Sequence, residues 1–440
     1  MQAMITRRNV ITSLAGAPLL GAAGDKPNIV FVFSDDHHFQ GLGAAGNPHI
    51  RTPNLDRLAE SGVHFTNGII STSQCCPSRG VMLSGMETYQ TGLLSNGATS
   101  YTKQFGPTVV EQMRRGGYDT IHIGKWHITP EPGQTGFNRS PLWLRGGGSK
   151  YVDPMLRRGQ SGKDETVNGH ITDLFTGAAI EATRGAKQPF FLWLAYNAPH
   201  TPWHAAPKYF EAYKGKSAEE LAPPLHPRGG KPFDWSTYYA VITHLDEAVG
   251  RLVDSLKQTT AWENTVLFFI GDNGYMAGTR GWSGKVRHWD ESVRVPYFLA
   301  GGKLAKAKVS DPVASVDACA TWLDLAGLNP ERPLAGRSLA SYLRTGKGNI
   351  DSAFSVWDDG SQGALAVKVA IEPYRLIRTN RHKLVVFQSG KQSFYDCVAD
   401  PGEERDLTGD PDVAAMREKL RGKLRERMKQ TSDHALAWMG

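Results

Sequence analysis

The chain holds only four cysteines in 440 residues, Cys75, Cys76, Cys319 and Cys397, so a disulfide framework does not hold it together. Beyond the N-terminus it lacks any apolar run long enough to span a bilayer, and stable membrane insertion is not expected. It also lacks a Lys/Arg block of the kind found in nucleic-acid arms: the formal charge of +7 is spread along the chain, which argues against a nucleic-acid partner. No internal repeat is evident, and the ordinary balance of 40% hydrophobic and 21% charged residues excludes disordered, collagen-like and coiled-coil classes. What remains is a globular protein with a large core, long enough for two packed units of unequal size.

No acidic residue precedes Asp25. Thr6-Arg7-Arg8-Asn9-Val10-Ile11 leads into a modest apolar stretch to Leu20 and the small residues Gly21-Ala22-Ala23-Gly24, which together resemble a twin-arginine export signal. Residues 1–24 are therefore expected to be that signal, with a periplasmic or extracellular destination and a fold that begins near Asp25. Loss of Arg7 and Arg8 would leave a net charge of +7 − 2 = +5.

Nearly continuous apolar runs, Ile29 to Phe33, Thr120 to Ile123, Phe190 to Ala195 and Thr265 to Ile270, read as strands buried on both faces. Helical patterns alternate with them. Thr52-Pro53 opens one with Leu55, Leu58 and Ala59 inward and Gly62 as its stop, Pro107-Thr108 opens a second that ends at Gly116-Gly117, and a longer one runs from Trp235 to Leu256. The alternation predicts an α/β fold with a large, mostly parallel sheet flanked by helices. Residues 129–162 and 214–232, rich in Gly and Pro, read as long surface loops. From about Ser352 the pattern shifts to short strands (Val367 to Ile371, Tyr374 to Arg378, Lys383 to Val386, Ser393 to Tyr395) and a charged helix from about Pro411. The expected division is a catalytic domain over 25–350 and a smaller C-terminal subdomain over 351–440, carrying an antiparallel sheet and a terminal helix.

Ligands of open parallel sheets bind beyond the C-terminal strand ends. There the chain carries Asp35-Asp36, Gly124-Lys125-Trp126-His127, Asn197-Ala198-Pro199-His200 and Asp272-Asn273-Gly274. Asp35, Asp36, Asp272 and Asn273 form an all-oxygen set suited to a hard cation, and three carboxylates without a cation would repel one another. Each pair taken alone is as well explained by turn chemistry.

The segment Ser71 to Gly80 contains Cys75-Cys76-Pro77-Ser78-Arg79, followed by a helix start through Val81, Met82 and Leu83. Here the chain resembles the type I sulfatases of the alkaline-phosphatase-like superfamily, whose C-x-P-S-R signature is met by Cys75, Pro77, Ser78 and Arg79. The other family segments follow in order: Pro27 to Asp36, Thr52 to Asp56, Gly124 to His127, Asn197 to His200, Gly271 to Gly274, Gly284-Lys285, Arg294-Val295-Pro296, Phe394-Tyr395-Asp396 and Asp400 to Glu404.

The resemblance implies that a maturation enzyme converts Cys75 to formylglycine. It implies a calcium ion held by Asp35, Asp36, Asp272, Asn273 and the residue at 75, a sulfate clamp of Lys125 and Lys285, and Arg79 holding the formylglycine and the carboxylates. His200 would protonate the leaving alcohol and His127 would take the proton that releases sulfate. The implied activity is sulfate ester hydrolysis on a sulfated saccharide, and the doubled Cys75-Cys76 is similar to glucosamine-6-sulfatases. Two other readings are a phosphodiester or phosphonate monoester hydrolase with the same chemistry, and an inactive carbohydrate-binding protein, which would be expected to have lost ligands kept here. His37-His38-Phe39 stands where the family shows a nearby glycine, and the two histidines either line the substrate pocket or fill it. Trp126, Trp193, Trp203 and Trp235 are candidate sugar-stacking residues or core anchors. A remote acid such as Glu403 is expected to have no bearing on the site.

Overall fold

Unbroken apolar runs can be buried on both faces only at the centre of a sheet, and that is where these four lie. In the computed structural model, which describes residues 26–97, 100–101, 106–187, 189–227, 230–259, 261–358 and 371–439, the strands Thr265–Gly271, Asn28–Ser34, Phe190–Ala195 and Asp119–Lys125 stand side by side, all parallel. Ile29, Phe31 and Phe33 pack into one core with Trp193 and Phe268, while Val30 and Val32 pack into the opposite core with Leu192 and Leu267. The proposed export signal lies outside the described residues.

The sheet has ten strands among the described residues. Tyr297–Gly301 runs antiparallel beside Thr265–Gly271 and carries Val63–Phe65 and Ala307–Val309 beyond it. On the opposite side Leu142–Leu144 continues the sheet in parallel, followed by the antiparallel Met155–Arg158 and Asp164–Thr166. Residues 129–162, expected as loop, therefore contribute two of these strands. They are too short to show a periodicity, and only their pairing identifies them.

The helix Pro53–Ser61 buries Leu55, Leu58 and Ala59 as expected, but Thr52 does not cap it with its side chain. Asp246, on the helix Trp235–Gln258, accepts the free backbone N–H groups of Asn54 (2.9 Å) and Leu55 (2.7 Å) instead. Thr108 does cap Val109–Arg115 through a reciprocal box with Glu111. Ile171–Arg184 and Asp317–Leu325 are helices that the sequence pattern did not single out. Residues 214–232 include one helical turn, Ala218–Leu221.

At the C-terminal end, Ala353–Trp357, Tyr374–Arg378, His382–Phe387 and Gln392–Asp396 form a four-stranded antiparallel sheet. The expected strand Val367 to Ile371 lies, apart from its last residue, outside the described residues, and Ala353–Trp357 pairs with Tyr374–Arg378. Trp357, Tyr374, Leu376 and Val385 join the core of the large sheet, whereas Ile377, Leu384 and Phe394 pack on Leu420, Leu424 and Met428 of the helix Ala414–Gln430. No helix among the described residues is long and apolar enough to cross a membrane.

Candidate active site

The helix carrying the signature starts at Cys75 itself, earlier than its apolar residues suggest, and runs to Ser84 with every residue buried. This puts Cys75 at the helix N-terminus, beside the ends of the central strands. Its Sγ lies 3.3 Å from Asp35 Oδ1 and 2.6 Å from Lys285 Nζ. Burial, with the Asp35 carboxylate beside it, pushes the thiol up to about 12, so an unmodified Cys75 is protonated and a poor nucleophile.

One ligand atom each from Asp35, Asp36, Cys75 and Asp272 lies within 4.8 Å of the others, and all four residues are buried. Each carboxylate has its own cation. Asp35 pairs with Lys125, Asp36 with Lys285, and Asp272 with Arg79 at 2.8 Å. Repulsion among the carboxylates is thus offset by side chains, and that part of the sequence argument for a metal does not stand alone. Burial drives Asp35 up, but Lys125, His200 and Lys285 hold it far below the usual carboxylate range. Burial and the neighbouring Asp35 push Asp272 up to about 7 despite Arg79.

Asn273 donates through Nδ2 to Asp36 Oδ1 (2.6 Å) and to the Gly274 carbonyl (2.8 Å), while its buried Oδ1 accepts no hydrogen bond. Three clustered carboxylates, with a buried unpaired carboxamide oxygen on a side chain bonded to one of them, make an all-oxygen donor set suited to a hard divalent cation, and the residues present fit one. Arg79 also donates to the Lys125 carbonyl (2.7 Å), tying the signature helix to a second strand end.

His127 and His200 close the site. His127 is half-buried and held neutral, its value pushed down to about 2 by desolvation and by Lys125. His200 stands 3.8 Å from Asp36, with Nδ1 2.5 Å from the Thr201 carbonyl. Burial lowers it, while Asp35 and Asp36 pull the other way. Gly124, at φ 104°, precedes this end of its strand, and a Cβ there would lie 1.9 Å from the Ala195 carbonyl oxygen, so only glycine lets the two strands meet where Lys125 and His127 emerge.

All ten residues singled out from sequence therefore converge. His37 and His38 are fully buried, with His37 bonded to Ser34 Oγ and the Gly41 carbonyl, so they fill the fold rather than line a pocket. Of the four tryptophans, Trp126, Trp193 and Trp235 are buried, and Trp203 alone of them is partly exposed. Two residues went unnoticed in the sequence. Tyr238 donates to the Asp36 carbonyl (2.7 Å) and accepts from His38 N–H, and Tyr151 donates to the His200 carbonyl (2.7 Å). Both read as ordinary core aromatics, and no local pattern distinguishes them.

Comparison with known proteins bears on this arrangement. The sulfatase family profile matches residues 27–328, and a profile described as N-sulphoglucosamine sulphohydrolase, C-terminal, matches residues 278–430. An ulvan-active sulfatase of Formosa agariphila is 28% identical, over 93% of this chain and 82% of its own. An N-acetylglucosamine-6-O-sulfatase of Bacteroides thetaiotaomicron is 26% identical, over 93% of this chain and 87% of its own. A solved structure in complex with its substrate D-glucosamine-2-N,6-O-disulfate superposes with a TM-score of 0.81 at 25% identity, covering 93% of this chain and 99% of that one.

Proposed function

The chain belongs to the sulfatase family and is a sulfatase, and from that premise we propose that it removes sulfate from sulfated saccharides, using a formylglycine formed from Cys75 by a maturation enzyme and a calcium ion held by Asp35, Asp36, Asp272 and Asn273. The observation that carries this reading is Cys75 at its helix N-terminus, with its Sγ against Asp35 and Lys285 and clustered with Asp36 and Asp272. A sulfated sugar as substrate is supported by the relatives that act on ulvan and on N-acetylglucosamine-6-O-sulfate.

When present, the cation would neutralise the sulfate charge, and the aldehyde, hydrated by one water to a geminal diol, would supply one hydroxyl at position 75 as nucleophile and keep the second for the later release of sulfate. Lys125 and Lys285 swing from their carboxylates onto the sulfate oxygens and hold them as charge spreads over the transferring group. Arg79 keeps Asp272 and the Lys125 backbone in place. His200 gives a proton to the bridging oxygen as the O–S bond breaks, and the sugar leaves as an alcohol. His127, held neutral, accepts the proton from the side chain at 75 that releases sulfate. Loss of a ligand would point to an inactive sugar-binding protein, and none is lost. Export of the mature protein belongs to the same proposal.

Mass spectrometry of the peptide spanning Cys75, from protein made alongside a maturation enzyme, tests the nucleophile: the aldehyde should be found, and an active preparation with only thiol would sink the mechanism. Cys75→Ser should remove turnover while Cys76→Ser keeps most of it. Faster cleavage of phosphodiesters or phosphonates than of every sulfated sugar tried would replace the substrate class.

A further inference from the structure

The strand Leu142–Leu144 pairs with the end of Asp119–Lys125, and the ladder continues past both: Trp126 N–H donates to the Leu144 carbonyl (2.8 Å) and His127 N–H to the Arg145 carbonyl (3.1 Å). Arg145 is thereby locked in register with His127. The next three residues are glycines, and the structure explains two of them. A Cβ on Gly147 would lie 2.6 Å from the His127 ring and one on Gly148 would lie 3.2 Å from the His200 ring, so this backbone passes directly against both histidines.

Beyond His127 opens a cavity of about 940 Å³, lined by Arg145, the three glycines, Glu131 and Asp164, among others. This is far more room than a sulfate needs. The two acids are already neutralised. Arg157 pairs with Glu131 and, at 2.6 Å, with Asp164. Arg145 is exposed and has no ion-pair or hydrogen-bond partner for its guanidinium among the described residues. Arg145, exposed at a cavity whose acids are already paired and bonded through its backbone to His127, offers an unpaired guanidinium fork to a second anion.

Resting on the sulfatase reading, we propose that Arg145 is a specificity-determining residue that binds a second anionic group, sulfate or carboxylate, carried by the saccharide next to the ester that is cleaved. The enzyme then prefers polyanionic sugars by a built contact, beyond any general attraction from its net charge.

The test uses the full chain carrying Cys75→Ser, loaded with calcium, titrated calorimetrically with three probes: glucosamine 6-sulfate, glucosamine bearing N- and 6-sulfates, and a disaccharide of glucosamine 6-sulfate with a hexuronate. Adding Arg145→Gln should weaken binding of at least one doubly anionic probe about tenfold more than binding of the singly anionic one, and the affected probe identifies the second anion as sulfate or carboxylate. Arg145→Lys should recover only part of the difference. In the active enzyme the selective loss should fall on KM. Equal weakening of all three probes, no weakening of any, or no binding of any probe to the parent would overturn the proposal. If the active enzyme cleaves no sulfated sugar while the titrations still show the selective loss, the proposed reaction fails and the anion subsite stands.

Discussion

Asn273 shows how much rests on single atoms at this site. Its Nδ2 donates to Asp36 and to the Gly274 carbonyl, which fixes the side-chain orientation and leaves the buried Oδ1 without a donor. A buried acceptor left unpaired costs on the order of 1–3 kcal/mol, and a bound cation would recover it. Asn273→Ala is therefore expected to weaken calcium binding at least tenfold, read by titration of chelator-treated protein, and to cut turnover in parallel. Unchanged calcium affinity would remove Asn273 from the ligand set. Calcium should also raise the melting temperature of the parent more than that of the variant, because a ligand that binds the folded chain alone stabilises it by mass action.

At the scale of elements, the segment that delivers Lys285 is held by the C-terminal sheet. Lys383, fully buried on His382–Phe387, pairs with Asp290 at 2.7 Å and with Glu403, and the Glu403 carboxylate accepts the Asp290 backbone N–H at 2.8 Å. Arg280 pairs with Glu291 and donates to the Gly402 and Glu403 carbonyls. Glu403, a remote acid by sequence position, is thus a buried clasp between the two sheets' segments, and this placement predicts an influence on the site that its sequence position did not suggest. Removing one member of a buried charge network typically costs roughly 3–5 kcal/mol. Glu403→Ala should lower the urea midpoint markedly and reduce activity by loosening residues 285–294. A variant as stable and active as the parent would show that the clasp is idle. Sequence could not reveal it, since Glu403 and Asp290 are far apart in the chain and each is unremarkable locally.

At the scale of the whole molecule, buried histidines contribute to the response to acid. His64 and His122 are buried in the two flanks of the large sheet, and burial pushes them down to about 4 and about 3. A base whose folded value lies below its unfolded one binds fewer protons when folded, so unfolding takes up protons. The stability these groups provide is present above about pH 6.5 and is lost as pH falls toward 4. Each unit of depression is worth about 1.4 kcal/mol, so one such imidazole makes a measurable contribution to the acid limb. Urea midpoints between pH 6.5 and 4 should fall less steeply for His64→Gln than for the parent, and parallel slopes would mean that His64 is not among the groups responsible.

The sequence by itself determined the central strands, the polar residues at their ends and the signature at Cys75. Apolar runs buried on both faces are local and unambiguous, and a strand end carries its polar residues wherever the strand goes. It also determined the helices with clear periodicity, such as Trp235–Gln258. Tertiary structure alone decided which cation meets which carboxylate, that Asp246 rather than Thr52 caps Pro53–Ser61, and that His37 and His38 fill the interior. It alone set Arg145 in register with His127 and buried Glu403 against Asp290. These are contacts between segments distant in the chain, fixed by strand order and register, and neither composition nor local periodicity encodes the order in which strands assemble.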